Sequence, residues 1–204
     1  MTKKLIHKIY VIVGQLYNML CRCWWGIRDT INKPTEHAIL VIAHPDDDTL
    51  FFHKFIKEHK PYVVLLTDGW SLIRFKDFKK VMKLYGVRYR AYGLHSRDKR
   101  ISLLEKYVSQ SLKLNKFKIC ATHNAEGEYG HEMHVRVHEA VKKYVKCQML
   151  VPALDNDIDN YPLNDSDIKE KKDIFNKYYK TELFVLDMYK KWVVNEKLIE
   201  DEYL

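Results

Sequence analysis

Two short stretches hold most of the residues able to do chemistry. The first, AHPDDDT at residues 43–49, sets a histidine, a proline and three aspartates at the end of an apolar run. Burying that many carboxylates is costly unless a cation or several hydrogen-bond donors compensate them. Pro45 fixes its own φ and holds His44 extended, so the backbone is stiff where these side chains emerge. A metal ion would answer the charge. So would a helix beginning near Thr49, whose positive end favours carboxylates in its first turn.

The second stretch is THNAEGEYGHEMHVRVHEAV, residues 122–141. On a helix, residues three and four apart share a face, which brings His131, His134 and His138 together. Three imidazoles beside a glycine-containing loop point to metal ligation more than three isolated histidines would. HEMH is not the zincin pattern, because only Met133 separates Glu132 from the second histidine, and in HVRVH Val135 stands where a general-base glutamate belongs. Combining the two stretches gives two histidines and one carboxylate with open positions, the ligand set of a hydrolytic zinc site; iron is also compatible with these ligand types. A further aspartate is left over as a base for water.

These side chains need a frame. Apolar runs at 38–43, 62–67, 90–94, 117–122 and 148–152 read as strands covered on both faces. Helical patterns at 48–58, 75–84, 101–114 and 132–145 lie between them. The alternation predicts an α/β fold, a Rossmann-like layered structure with a mostly parallel sheet flanked by helices and a helical C-terminal extension over 168–198, its start capped by Asp167 and Glu170. Sites in such sheets form beyond the carboxyl ends of strands, where His44, Asp68 with Gly69, and His123 with Asn124 all fall.

A chain of 204 residues fits one domain, here 37–204, preceded by an N-terminal amphipathic helix and linker at 1–36. With 47% hydrophobic and 30% charged residues, disorder and fibrous repeats are excluded. Cys21, Cys23, Cys120 and Cys147 have neither zinc-ribbon nor redox spacing, which suits a reducing, cytoplasmic location. The net charge of +8 favours anionic partners without selecting one, and no nucleic-acid motif accompanies the basic, tyrosine-containing stretch 74–100. Near the N-terminus, His7, Lys8, Gln15 and Asn18 interrupt the apolar run too often for a spanning helix, and no small-residue cleavage site follows it. Leu5, Ile9, Ile12, Val13, Leu16 and Leu20 form an apolar helical stripe that suits either packing on the domain or lying on a membrane surface.

The motifs AHPDDDTLFF, LLTDG followed by Arg74, and THNAEGEYGHEMHVRVHEAV together resemble the LmbE-like, or PIG-L, zinc-dependent de-N-acetylases, over about residues 38–144. The resemblance implies that His44, Asp47 and His134 bind zinc and that Asp46 is the general base. It implies that His131 is a protonated donor near the developing oxyanion, assisted by Tyr129, and that Arg74 and Asp98 bind substrate. The family usually has glutamate where Asp48 and Asp77 stand and often aspartate where Met133 stands; His138 is left to the surroundings of the ligands or to the core. The activity implied is removal of the acetyl group from an N-acetylated amino sugar, free or conjugated to a nucleotide, inositol or lipid. A metal-dependent sugar- or glycolipid-binding protein of the same fold is the alternative, and specific nucleic-acid binding is not expected.

Overall fold

The computed structural model describes residues 34–67, 71–94 and 101–201. The N-terminal helix expected within 1–36 lies almost wholly outside the described residues, as do Asp68, Gly69 and Asp98. Five parallel strands and one antiparallel strand form a single sheet in the order β3-β2-β1-β4-β5-β6. The strands are β1 (Ala38–Ile42), β2 (Tyr62–Thr67), β3 (Tyr89–Leu94), β4 (Ile119–Thr122), β5 (Gln148–Pro152) and β6 (Leu198–Glu200). Between the parallel strands run α1 (Asp47–His59), α2 (Leu72–Tyr85), α3 (Ile101–Leu112) and α4 (Glu132–Tyr144). The expected α/β layering is therefore present, with each element within a few residues of its expected bounds.

The reason is visible in β1, where AILVI is buried at every position. Side chains alternate across a strand, so a strand covered on both sides must be apolar throughout. Leu40 and Ile42 join Val63, Leu65, Phe52 and Phe78 on one face, in a layer completed by Phe175, Tyr179 and Trp192 from the C-terminal region. Ile39 and Val41 join Val64, Leu66, Val108, Val137 and Val141 on the other, beneath α3 and α4.

The C-terminal extension is helical, as expected, and is divided into several pieces. α5 spans Asp165–Lys177, followed by a 3-10 turn Lys180–Glu182, two short helices α6 (Phe184–Met188) and α7 (Lys190–Val194), and then β6. The start of α5 lies earlier than expected because Asn164 is the cap, accepting the Asp167 N–H at 2.8 Å. Asp167 and Glu170, expected as caps, instead accept the Lys57 ammonium at 2.8 and 2.6 Å. β6 pairs antiparallel with β5, Val151 opposite Ile199. α5 is anchored by Lys171, a fully buried lysine whose ammonium donates to Leu50 O at 2.9 Å and Trp192 O at 3.1 Å and pairs with Glu196 at 2.9 Å. No helix among the described residues is long and apolar enough to cross a membrane.

Candidate metal centre

In the strand order, β1 and β4 are neighbours whose chains run off toward opposite edges, and the crevice beyond their carboxyl ends is the usual ligand position of an open α/β sheet. Both sequence stretches meet there. From the end of β1 the chain turns through Pro45 into Asp46, which adopts φ +97°, a left-handed conformation that costs a non-glycine residue about 1–3 kcal/mol. The Asp46 carbonyl accepts the N–H groups of Thr49 and Leu50 at 3.0 and 2.9 Å, so α1 starts directly beneath it.

The three aspartates diverge. Asp47 bends back, and its Oδ2 accepts the His44 N–H at 2.7 Å. Asp46 makes no side-chain cap; its Oδ1 faces the Arg74 guanidinium at 3.1 Å. Asp48 turns away, accepting the Thr49 hydroxyl and the Tyr179 hydroxyl, each at 2.6 Å. The shorter aspartate thus supports the turn because Tyr179, from the C-terminal region, reaches in to meet it.

His44 Nδ1 lies 3.2 Å from His134 Nε2 and 3.4 Å from Asp47 Oδ2, and His134 Nε2 lies 3.5 Å from Asp47 Oδ1. Ligands about 2.0–2.1 Å from a tetrahedral zinc ion would stand about 3.3–3.4 Å apart, so these atoms fit one such ion with little movement. All three side chains are almost entirely buried. His131 is the N-cap of α4, its Nδ1 accepting the Met133 N–H at 3.2 Å, and its ring lies 4.7 Å from that of His44 and 4.5 Å from that of His134. A nitrogen that accepts a backbone N–H carries no proton, so the ring is neutral with its hydrogen on Nε2, and burial and the nearby His134 lower its basicity.

Burial, only partly opposed by Asp47, takes His44 down to about 4. Burial acts to raise Asp47, but the His134 ring beside it outweighs this and holds the carboxyl well below its usual range. Burial acts to lower His134, yet Asp47 and Glu128 push it up to about 10. Asp46 is raised by burial and by Asp47, with Arg74 opposing.

The structure gathers His44, Asp46, Asp47, Tyr129, His131, His134 and Arg74 at one edge of the sheet. Tyr129 stands with its ring 5.5 Å from that of His134, and burial and Asp47 push its hydroxyl far above the usual range. Arg74 also pairs through Nε with Glu182 at 2.8 Å, so both ends of the guanidinium meet a carboxylate. Asp77 pairs with Lys80 at 2.8 Å, Met133 is buried in the apolar layer beneath α4, and His138 sits behind the site with Nδ1 2.9 Å from His123 O.

Five residues escaped the sequence reading of the site. His123 was placed at the correct edge without a role. Glu128 had a signal in its flanking glycines, Gly127 and Gly130, both with positive φ. Tyr179, Glu182 and Tyr189, whose ring stacks on that of Tyr129 at 3.9 Å, belong to no motif.

Fold and site together define a Rossmann-type α/β protein with a candidate single-metal centre where the strand order reverses. No family model matches the chain. It is 26% identical over 117 residues to the uncharacterized protein L374 of Acanthamoeba polyphaga mimivirus, a match covering 47% of this chain and 52% of that protein. The chain therefore spans about half the length of this curated relative. Among solved structures it is similar to the conserved protein TT1542 from Thermus thermophilus, with TM-score 0.59 and 12% identity over 83% of this chain and 96% of the other. GalB, the 4-carboxy-2-hydroxymuconate hydratase from Pseudomonas putida, gives TM-score 0.53 and 10% identity over 82% and 96%. At such identities the likeness is one of fold.

Proposed function

We propose that this chain is a metal-dependent hydrolase of the LmbE-like type that removes the acetyl group from an N-acetylated amino sugar, free or conjugated. The observation that carries the reading is the convergence of His44 Nδ1, Asp47 and His134 Nε2 within 3.2–3.5 Å of one another, with Asp46 beside them. His44, Asp47 and His134 would hold a zinc ion with positions left open, and the ion would supply Lewis acidity and lower the pKa of water to about 7.

The chain's own residues supply the rest. Asp46, steered by Arg74, accepts a proton as the water oxygen bonds to the acetyl carbon. His131 Nε2–H and the Tyr129 hydroxyl donate to the carbonyl oxygen as it gains negative charge. The carbon–nitrogen bond then breaks, the proton passes to the leaving amine, and acetate departs. Location in the cytoplasm, with the N-terminal apolar stripe on the domain or on a membrane surface, accords with the cysteine usage and charge.

The test is acetate release from a panel of free, nucleotide-linked and lipid-linked N-acetylhexosamines, with and without a chelator. Chelator-sensitive release from at least one of them is expected. Stoichiometric zinc without release from any would favour a sugar-binding protein instead.

A further inference from the structure

Three imidazoles, not two, surround Asp47. The His123 and His134 rings stack at 3.8 Å, and His123 Nε2 lies 3.3 Å from Asp47 Oδ2, as near as either proposed ligand nitrogen. Asp47, His123 and His134 form one group able to hold a metal ion, and His44 joins Asp47 and His134 at similar distances, so proximity does not choose between His44 and His123 as the third ligand. Hydrogen-bond accounting does.

The Ala43 N–H donates to His123 Nε2 at 3.0 Å. A backbone N–H can only donate, so that nitrogen carries no proton and its in-plane lone pair is taken. The ring hydrogen must sit on Nδ1, which faces Glu128 Oε2 at 3.1 Å. The same Oε2 lies 2.6 Å from His134 Nδ1. A carboxylate can only accept, so His134 also carries a hydrogen on Nδ1, and a cation that displaces the proton from Nε2 would meet the lone pair there.

We propose, resting on the metal-centre reading above, that Glu128 is a positioning residue: by accepting from His134 Nδ1 it makes His134 Nε2 a ligand atom, and by accepting from His123 Nδ1 it turns His123 Nε2 to the Ala43 N–H, which keeps that ring out of the ligand set.

The cost of placing Glu128 there supports a role beyond packing. Its side chain is fully buried, and its backbone is strained at φ +59° between Gly127 at +68° and Gly130 at +87°. The turn is locked by exchange with Asn124: Glu128 Oε1 accepts the Asn124 N–H at 2.9 Å, and Asn124 Oδ1 accepts the N–H groups of Glu128 and Glu126 at 2.9 and 3.0 Å. Carboxylates that orient a ligating histidine typically change metal affinity by about 10–100-fold when altered.

The test is zinc affinity by chelator competition for the full chain and for Glu128→Gln, each shown to be folded by circular dichroism and cooperative unfolding. The variant should bind zinc about 10–100-fold more weakly. An affinity within twofold of the parent would overturn the proposal. A second measurement needs no variant: ring-nitrogen NMR of the cadmium-loaded parent should show metal–nitrogen coupling at His44 and His134, none at His123, and a retained Nδ1–H on both His123 and His134. Coupling at His123 would likewise overturn it. A parent chain that binds neither metal would sink the metal-centre reading and this role with it, whereas an unaltered Glu128→Gln affinity removes the role alone.

Discussion

Asp46 and Asp48 are neighbours of Asp47 with unlike surroundings, and their chemistry separates accordingly. Asp48 is wholly enclosed by Thr49 and Tyr179, while Asp46 faces Arg74 at the open edge. Asp46→Asn removes the proton acceptor without touching a proposed ligand atom. It should lower acetate release about 10²–10⁴-fold while zinc stoichiometry stays at one, measured by turnover assay beside metal analysis. His134→Ala should lose metal and activity together. The two stretches that meet at the site are legible because their residue types and spacing are unusual, an aspartate triplet after an apolar strand and histidines at helical intervals, whereas the particular set His44, Asp47 and His134 comes from the family resemblance. Glu128 and His123 are not legible, because their importance lies in which ring nitrogen faces which acceptor, a property of the folded turn.

Among the elements, α1 to α4 are legible because apolar periodicity decides them, and the C-terminal extension is legible as helical, whereas its division into pieces and the closing strand β6 are not. β6 is three residues long and half-exposed, too short for alternation to register, and the break after α5 follows from Tyr179 turning inward to Asp48. That region nevertheless builds one wall of the site through Tyr179, Glu182 and Tyr189. Lys171 holds it on, and Lys171→Met should destabilise the fold by about 3–5 kcal/mol in urea unfolding, because Glu196 would be left as an unpaired buried charge. Lys171→Met combined with Glu196→Gln should cost less than the single change.

His53, where α1 meets α2 and α5, gives the pH dependence. Its Nδ1 lies 2.7 Å from the Tyr85 hydroxyl, and burial together with nearby Lys171 lowers the ring to about 4 from an ordinary 6.5. A depressed folded-state value means the unfolded chain binds the proton first. The stabilisation is therefore complete above pH 6.5 and is lost as pH falls toward 4, amounting to about 3 kcal/mol. The stability gap between the parent and His53→Asn should shrink over that window; a gap independent of pH would show that the ring is not held neutral.

At the scale of the whole molecule, one sheet brings together loops that lie far apart in sequence: His44 and His134, 90 residues apart, face each other at 3.2 Å. The parallel order makes this possible, since every crossover returns the chain to the same edge. The similarity to solved structures at 10–12% identity is one of the layered frame. What binds at the rim is decided by the side chains of this chain. The most direct test of the account is anomalous diffraction at the zinc edge from crystals grown with zinc. A single strong peak is expected about 2.0–2.2 Å from His44 Nδ1, His134 Nε2 and an Asp47 oxygen. A peak bonded instead to His123, or zinc bound only by Asp167 and Glu170 beside His53, would contradict it.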